Sequence, residues 1–160
     1  MKGFTRVKIL SAARLQGLLC SLMIAGCGAP EEPYVYVCKD GPLNVQEVTN
    51  LRYFQSTING EDSLATLVIR TDEKYKKYIV DRVVNIDFSK ETLLCGRLRS
   101  GLPGHVIKQT VTSSCASNNL VYDVEIKVGR DGIAAITEIP FFVRIPKISD
   151  STRVIFRVHL

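Results

Sequence analysis

Cys95 and His105 are the side chains of this 160-residue sequence best suited to nucleophile-and-base chemistry, since a thiolate generated by an imidazole can attack a carbonyl. The turn cluster Ser100-Gly101-Leu102-Pro103-Gly104 lies between them. If the runs on either side, 92–99 and 105–112, fold back as a hairpin centred on Leu102, residues whose numbers sum to about 204 face each other. Cys95 then faces Gln109 and His105 faces Arg99, so thiol and imidazole stay apart and no catalytic residue is expected. Asp87 and Glu91 have the types for paired carboxylate chemistry. Their setting, Asp87-Phe88-Ser89, reads better as a turn in which Asp87 holds nearby backbone N–H groups. The tip itself, Gly101, Leu102, Pro103, Gly104 and His105 with Arg97, Arg99 and Lys108 beside it, is the candidate partner-binding site. Glycine and proline set its shape, and three cations suit an acidic partner. The same residues also suit a solvated hairpin end whose charges guard a sheet edge.

Metal and cofactor chemistry finds little purchase. There is no Cys-x-x-Cys, and no His stands at ligand spacing from a Cys, so neither a metal nor a cofactor is expected. With no Trp, a sugar-stacking platform would rest on Tyr alone. Arg144, Arg153 and Arg157 form a second basic set on the last strands, read as a solvated face.

Cys27 has a different chemistry. It ends Leu22-Met23-Ile24-Ala25-Gly26-Cys27, which resembles the lipobox of a bacterial lipoprotein precursor, where small residues admit a peptidase before the cysteine is acylated. Residues 1–26 have the matching order: a basic start, then an apolar run over 17–25. A spanning helix needs about 20 apolar residues, and this run is half that. The implied partner is a membrane, held through a lipid on Cys27. Four of the 21 Lys and Arg side chains and none of the 16 acids lie in 1–26, so the remainder carries 17 against 16. All but one of the five net positive charges therefore belong to the leader, and nucleic acid is excluded as a partner. Residues 27–33, with Pro30, Pro33 and Gly28, read as a mobile tether. Gly28 is not the aspartate linked with inner-membrane retention, which points to the bacterial outer membrane.

Residues 34–160 read as one domain. Strands are expected at 34–38, 45–54, 64–69, 83–88, 92–99, 105–112, 120–128, 139–145 and 152–159, with turns at Asp40-Gly41-Pro42, Asn59-Gly60 and 129–132. Residues 72–79 form the one helix, capped by Thr71 or Asp72, with acids first and lysines later. Within 120–128, Leu120, Tyr122, Val124, Ile126 and Val128 share a face against Asp123, Glu125 and Lys127. In the last strand Val154, Phe156 and Val158 oppose Arg153, Ile155, Arg157 and His159. Pro140 marks a strand start or an edge. The class is α+β, mainly antiparallel β, a sandwich-like or barrel-like sheet with one short helix. Cys38, Cys95 and Cys115 leave three pairings open, beside the alternative of buried reduced thiols.

The order of elements from Leu67 onward resembles the PrcB-type protease-complex subunit family. A strand runs into a capped helix at Leu67-Val68-Ile69-Arg70-Thr71-Asp72-Glu73, and Ile86-Asp87-Phe88-Ser89-Lys90-Glu91 enters the next strand. A glycine-rich tip and Val143-Arg144-Ile145-Pro146-Lys147 follow. At the tip the family has Pro-Thr-Gly-Gly-Tyr, whereas this chain has Leu102-Pro103-Gly104-His105. The resemblance implies a non-enzymatic accessory or assembly subunit with an exported protease as its partner. A periplasmic or surface module for a small molecule or glycan is the alternative expectation.

Overall fold

The computed structural model describes residues 37–49, 51, 63–80, 84–130 and 136–160, all within one unit, Tyr34–Leu160. The leader, Cys27, the tether and the Asn59-Gly60 turn lie outside the described residues, as do parts of the strands expected at 34–38, 45–54 and 83–88. The strands are β1 (Gly41–Pro42), β2 (Gln46–Glu47), β3 (Leu64–Ile69), β4 (Glu91–Ser100), β5 (Gly104–Ser114), β6 (Asn119–Val128), β7 (Thr137–Pro146) and β8 (Arg153–His159). One helix, α1 (Asp72–Tyr78), follows β3. The fold is α+β and mainly antiparallel β.

Two four-stranded sheets form a sandwich. The first has the order β1-β5-β6-β8 and the second β2-β7-β4-β3. Leu94, Phe141, Val143 and Ile145 of the second sheet pack on Val111, Leu120, Tyr122, Val124 and Ile126 of the first. A second core lies on the other face of the second sheet. There Leu93, Cys95, Phe142 and Ile69 meet Tyr75 of α1, with Ile86, Phe88, Val48 and Leu51. β4 is therefore covered on both faces, and every residue from Thr92 to Arg97 is buried. A continuous apolar run is what such a central strand requires.

Local chemistry sets the ends of these elements. Thr71 caps α1 through its hydroxyl, which accepts from the Lys74 N–H at 3.3 Å. Asp72 and Lys76, one turn apart, pair along the helix. Tyr75 is buried, meets Phe88 at a tilt with ring centres 5.5 Å apart, and donates its hydroxyl to the Val84 carbonyl at 2.9 Å. Before β4, Asp87 accepts from the Ser89 N–H at 2.9 Å and from its hydroxyl, the turn expected there. These bonds, the Ser89 hydroxyl first, hold the Asp87 carboxyl below its ordinary range. Residues 84–87 are not strand, because this turn leads directly into β4. Of the strand expected over 45–54, Gln46–Glu47 alone is seen among the described residues, and the expected turn at Gly41-Pro42 is a short strand instead.

The expected hairpin between 92–99 and 105–112 does not form. β4 pairs with β3 and β7, so Cys95 lies opposite Leu67 and Phe142. β5 pairs with β6 and β1, placing Gln109 opposite Val124 and His105 opposite Lys127. The Ser100–Gly104 bend carries the chain from one sheet to the other. Gly104 permits this, since a Cβ there would lie 2.5 Å from Ile139 and 2.8 Å from the Lys127 carbonyl. The mainly antiparallel pattern has one exception: β8 runs parallel beside β6, reached through β7 in the opposite sheet. Pro140 stands within β7, but β2 covers only Val143 and Arg144, so Pro140 has a ladder partner on one side alone among the described residues.

Cys38 and Cys115 form a disulfide spanning 77 residues. It fastens the segment before β1 to the β5–β6 turn, where Asp40 also accepts from the Cys115 N–H at 2.7 Å. Cys95 is free and buried.

Candidate functional site

The expected binding tip comes apart in three dimensions. Arg97 is buried in β4 and gives Glu138 a 2.6 Å charge-assisted hydrogen bond, so it faces no partner. Arg99 is half-buried, its Nε 4.0 Å from the same carboxylate. Gly101 and Pro103 are exposed and Leu102 is half-buried, but the bend is tied down. The Thr137 hydroxyl donates to the Leu102 carbonyl at 2.9 Å, and the Gly129 N–H to that of Pro103 at 2.7 Å. The physical cause is the sheet crossover. In a hairpin Arg97 and Arg99 would share the face of His105, whereas here they belong to different sheets.

His105 and Lys108 end on the outer face of the first sheet, and the better site is there. In β5 and β6 the alternation sends Leu120, Tyr122, Val124 and Val111 inward, and Thr110, Asp123, Glu125 and Lys127 outward. A register shift between Val106 and Lys108 turns Ile107 out to solvent, 53% exposed. A groove of about 570 Å³ follows, lined by Ile107, Lys108, Thr110, Asp123, Glu125 and Lys127, with His159 and Leu160 at its end. Lys108 lies opposite Glu125, which in turn lies opposite His159. The His159 Nε2 sits 3.2 Å from an Asp123 carboxylate oxygen. The groove thus presents both signs of charge around two exposed aliphatic side chains.

The face turned inward beneath it is closely packed. Tyr122 is buried, bonded through its hydroxyl to Gln109, and set edge-on to Phe141 at 5.9 Å between ring centres. Burial pushes its phenol well above its ordinary range, so it stays neutral at every working pH.

The remaining candidates are kept apart. Cys95 is enclosed in the core under α1, its thiol donating to the Leu67 carbonyl at 3.3 Å, while His105 is exposed on the other sheet. Burial raises the Cys95 thiol well above its usual value, which keeps it from acting as a thiolate. Glu91 pairs with Arg144 at 3.4 Å, and Arg144 also donates to Gln46 at 2.6 Å. The second basic set is therefore split between two sheets: Arg144 belongs to the second, Arg153 and Arg157 to the outer face of the first. Among the described residues no cluster of three His, Cys, Asp or Glu side chains suits a metal.

Compared with family models, with curated proteins and with solved structures, the chain matches none. No helix among the described residues is long and apolar enough to cross a membrane.

The groove residues were half legible. Asp123, Glu125 and Lys127 are marked by the alternation of β6, and His159 by that of β8. Ile107 was missed because a one-residue bulge leaves no mark in a strand-like run. Thr110 was missed because nothing local says which face of β5 meets water.

Proposed function

We propose that this chain is a non-enzymatic, lipid-anchored envelope protein whose β-sandwich binds another protein. Cys27 carries the lipid, 27–33 is the tether and 34–160 is the binding domain. The outer membrane is its place, and an accessory or assembly role toward an exported protease is the role that the PrcB-type resemblance suggests. The observation that carries the binding reading is the outer face of the first sheet. Its mixed charges, grooved at Ile107, have the polar and aliphatic make-up of a protein contact surface. The Cys38–Cys115 disulfide supports export, since such bonds persist in oxidising compartments.

A small-molecule or glycan module is the second reading, favoured by a groove of about 570 Å³. A sugar site would gain from flat rings, and the one ring in this lining is the His159 imidazole. The protein-binding reading fits better.

The test is capture of the tagged full-length protein from its own envelope after mild crosslinking, beside a variant with K108E, E125K and K127E. Recovery of one stoichiometric partner, lost with the variant, supports the role and its site. A clean monomer from both overturns it. Substitution C27S is expected to abolish palmitate incorporation and release the protein from membranes. Unchanged labelling would remove the anchor from the proposal.

A further inference from the structure

The edges of the two sheets are not alike. β1 and β2 are two residues long, and β1 holds Pro42, both ordinary ways of blunting an edge. β8 is seven residues of regular strand with no proline and no inward charge. Its outer side has no strand partner among the described residues. The Arg153 N–H donates to the Asn118 carbonyl of the neighbouring turn at 3.1 Å, which sets the phase of the ladder. Arg153, Ile155, Arg157 and His159 turn their backbone groups toward β6. Val154, Phe156 and Val158 turn theirs away, leaving a row of alternating donors and acceptors for another strand. Their side chains point into the sandwich yet stay only partly buried, so the core itself is unfinished at this edge.

We infer that the open edge of β8 takes an extended acidic segment of a partner protein as a fifth strand of the first sheet. The inference rests on the reading of the chain as a protein-binding subunit, and it names the chemistry of the partner. Charge selects the occupant. Arg153 and Arg157 are exposed on the outer face, two strand repeats apart, and neither has an ion pair among the described residues. Asp123, which lies opposite Arg157, is engaged by His159. An added strand places alternate side chains beside Arg153, Ile155 and Arg157, and the intervening ones over Val154, Phe156 and Val158. Its pattern is acid, apolar, any residue, apolar, acid. A second copy of this chain is the poorer occupant, because antiparallel pairing of two β8 strands about Phe156 sets Arg153 against His159. β3, the other long edge, has no charged side chain with which to select a partner.

The test uses the full-length protein in detergent and fluorescent peptides containing Glu-Val-Thr-Val-Glu or Lys-Val-Thr-Val-Lys, read by anisotropy. The acidic peptide is expected to bind about tenfold more tightly than the basic one. R153E with R157E should reverse that preference. V158P removes an outward N–H without touching the β6 ladder, and should weaken both peptides by about tenfold or more. Should V158P lose its fold by circular dichroism, the charge reversal decides alone, since both arginines are on the surface. Equal binding of the two peptides, or none, overturns the inference. A partner crosslinked equally by wild type and by R153E with R157E also overturns it, while leaving the accessory role in place. No partner from wild type, with the acidic peptide still bound selectively, would instead sink the accessory role and keep the edge.

Discussion

The two sheets are stabilised by different means. The second has a core on each face, so its central strand β4 is held by apolar packing on both sides without a covalent link. The first has one face on the core and one on water, and it holds the only disulfide among the described residues. Two-sided burial belongs to the second sheet and accessible charge to the first. A sheet covered on both sides has less open face with which to recognise a partner. Its single buried cation, Arg97, is spent on Glu138.

Four experiments can break or sharpen this contrast. The largest effect is expected from Leu93→Ala, fully buried in the core under α1, which should lose about 4 kcal/mol in denaturant unfolding. Glu125→Ala on the outer face should stay within about 0.5 kcal/mol, and equal losses would erase the distinction. Next, reduction of Cys38–Cys115 should lower stability by about 3 kcal/mol. Hydrogen exchange should then quicken first at β1 and the β5–β6 turn, with β4 the last to open. Simultaneous opening of both sheets would show that the staple serves the whole sandwich. Third, Gly96→Ala puts a Cβ 2.2 Å from the Phe141 ring and should lose about 2 kcal/mol. Gly101→Ala, with open space around it, should lose almost nothing. The smallest effect concerns Asp87, whose carboxyl is held below its ordinary range by Ser89. Its stabilisation is complete above the unfolded value and fades as pH falls through the folded one, below about pH 4. Asp87→Asn should flatten that part of the acid limb, and an unchanged limb would assign it to other carboxylates.

Local features were the legible ones. Leu64–Ile69 is apolar, bounded on one side by Thr71 and Asp72, and it forms the strand expected. Thr71 with two following acids announces α1, and the alternation of β6 announces its two faces. Pairing was less legible. Ser100-Gly101-Leu102-Pro103-Gly104 says that the chain bends, but a bend that returns along the same sheet and one that crosses to a second sheet share the same residues. The signal lay in Leu93-Leu94-Cys95, an unbroken apolar run that a two-stranded hairpin cannot cover. The site suffered from the same ambiguity. Asp123 and His159 each read as outward residues, but only the parallel placement of β8 beside β6 brings them together.

That parallel pair also governs how the chain reaches its fold. β6 receives β8 only after the polypeptide has passed into the other sheet as β7 and come back, a separation of 34 residues (119 to 153), and the β1–β5 and β2–β7 contacts span still more of the sequence. Closing such loops before any reward is gathered places folding in the millisecond-to-second range, roughly, and not in microseconds. Throughout that interval β6 shows a bare edge of alternating apolar residues. The nascent protein is then a substrate for chaperones, or for its own aggregation, until the last strand docks.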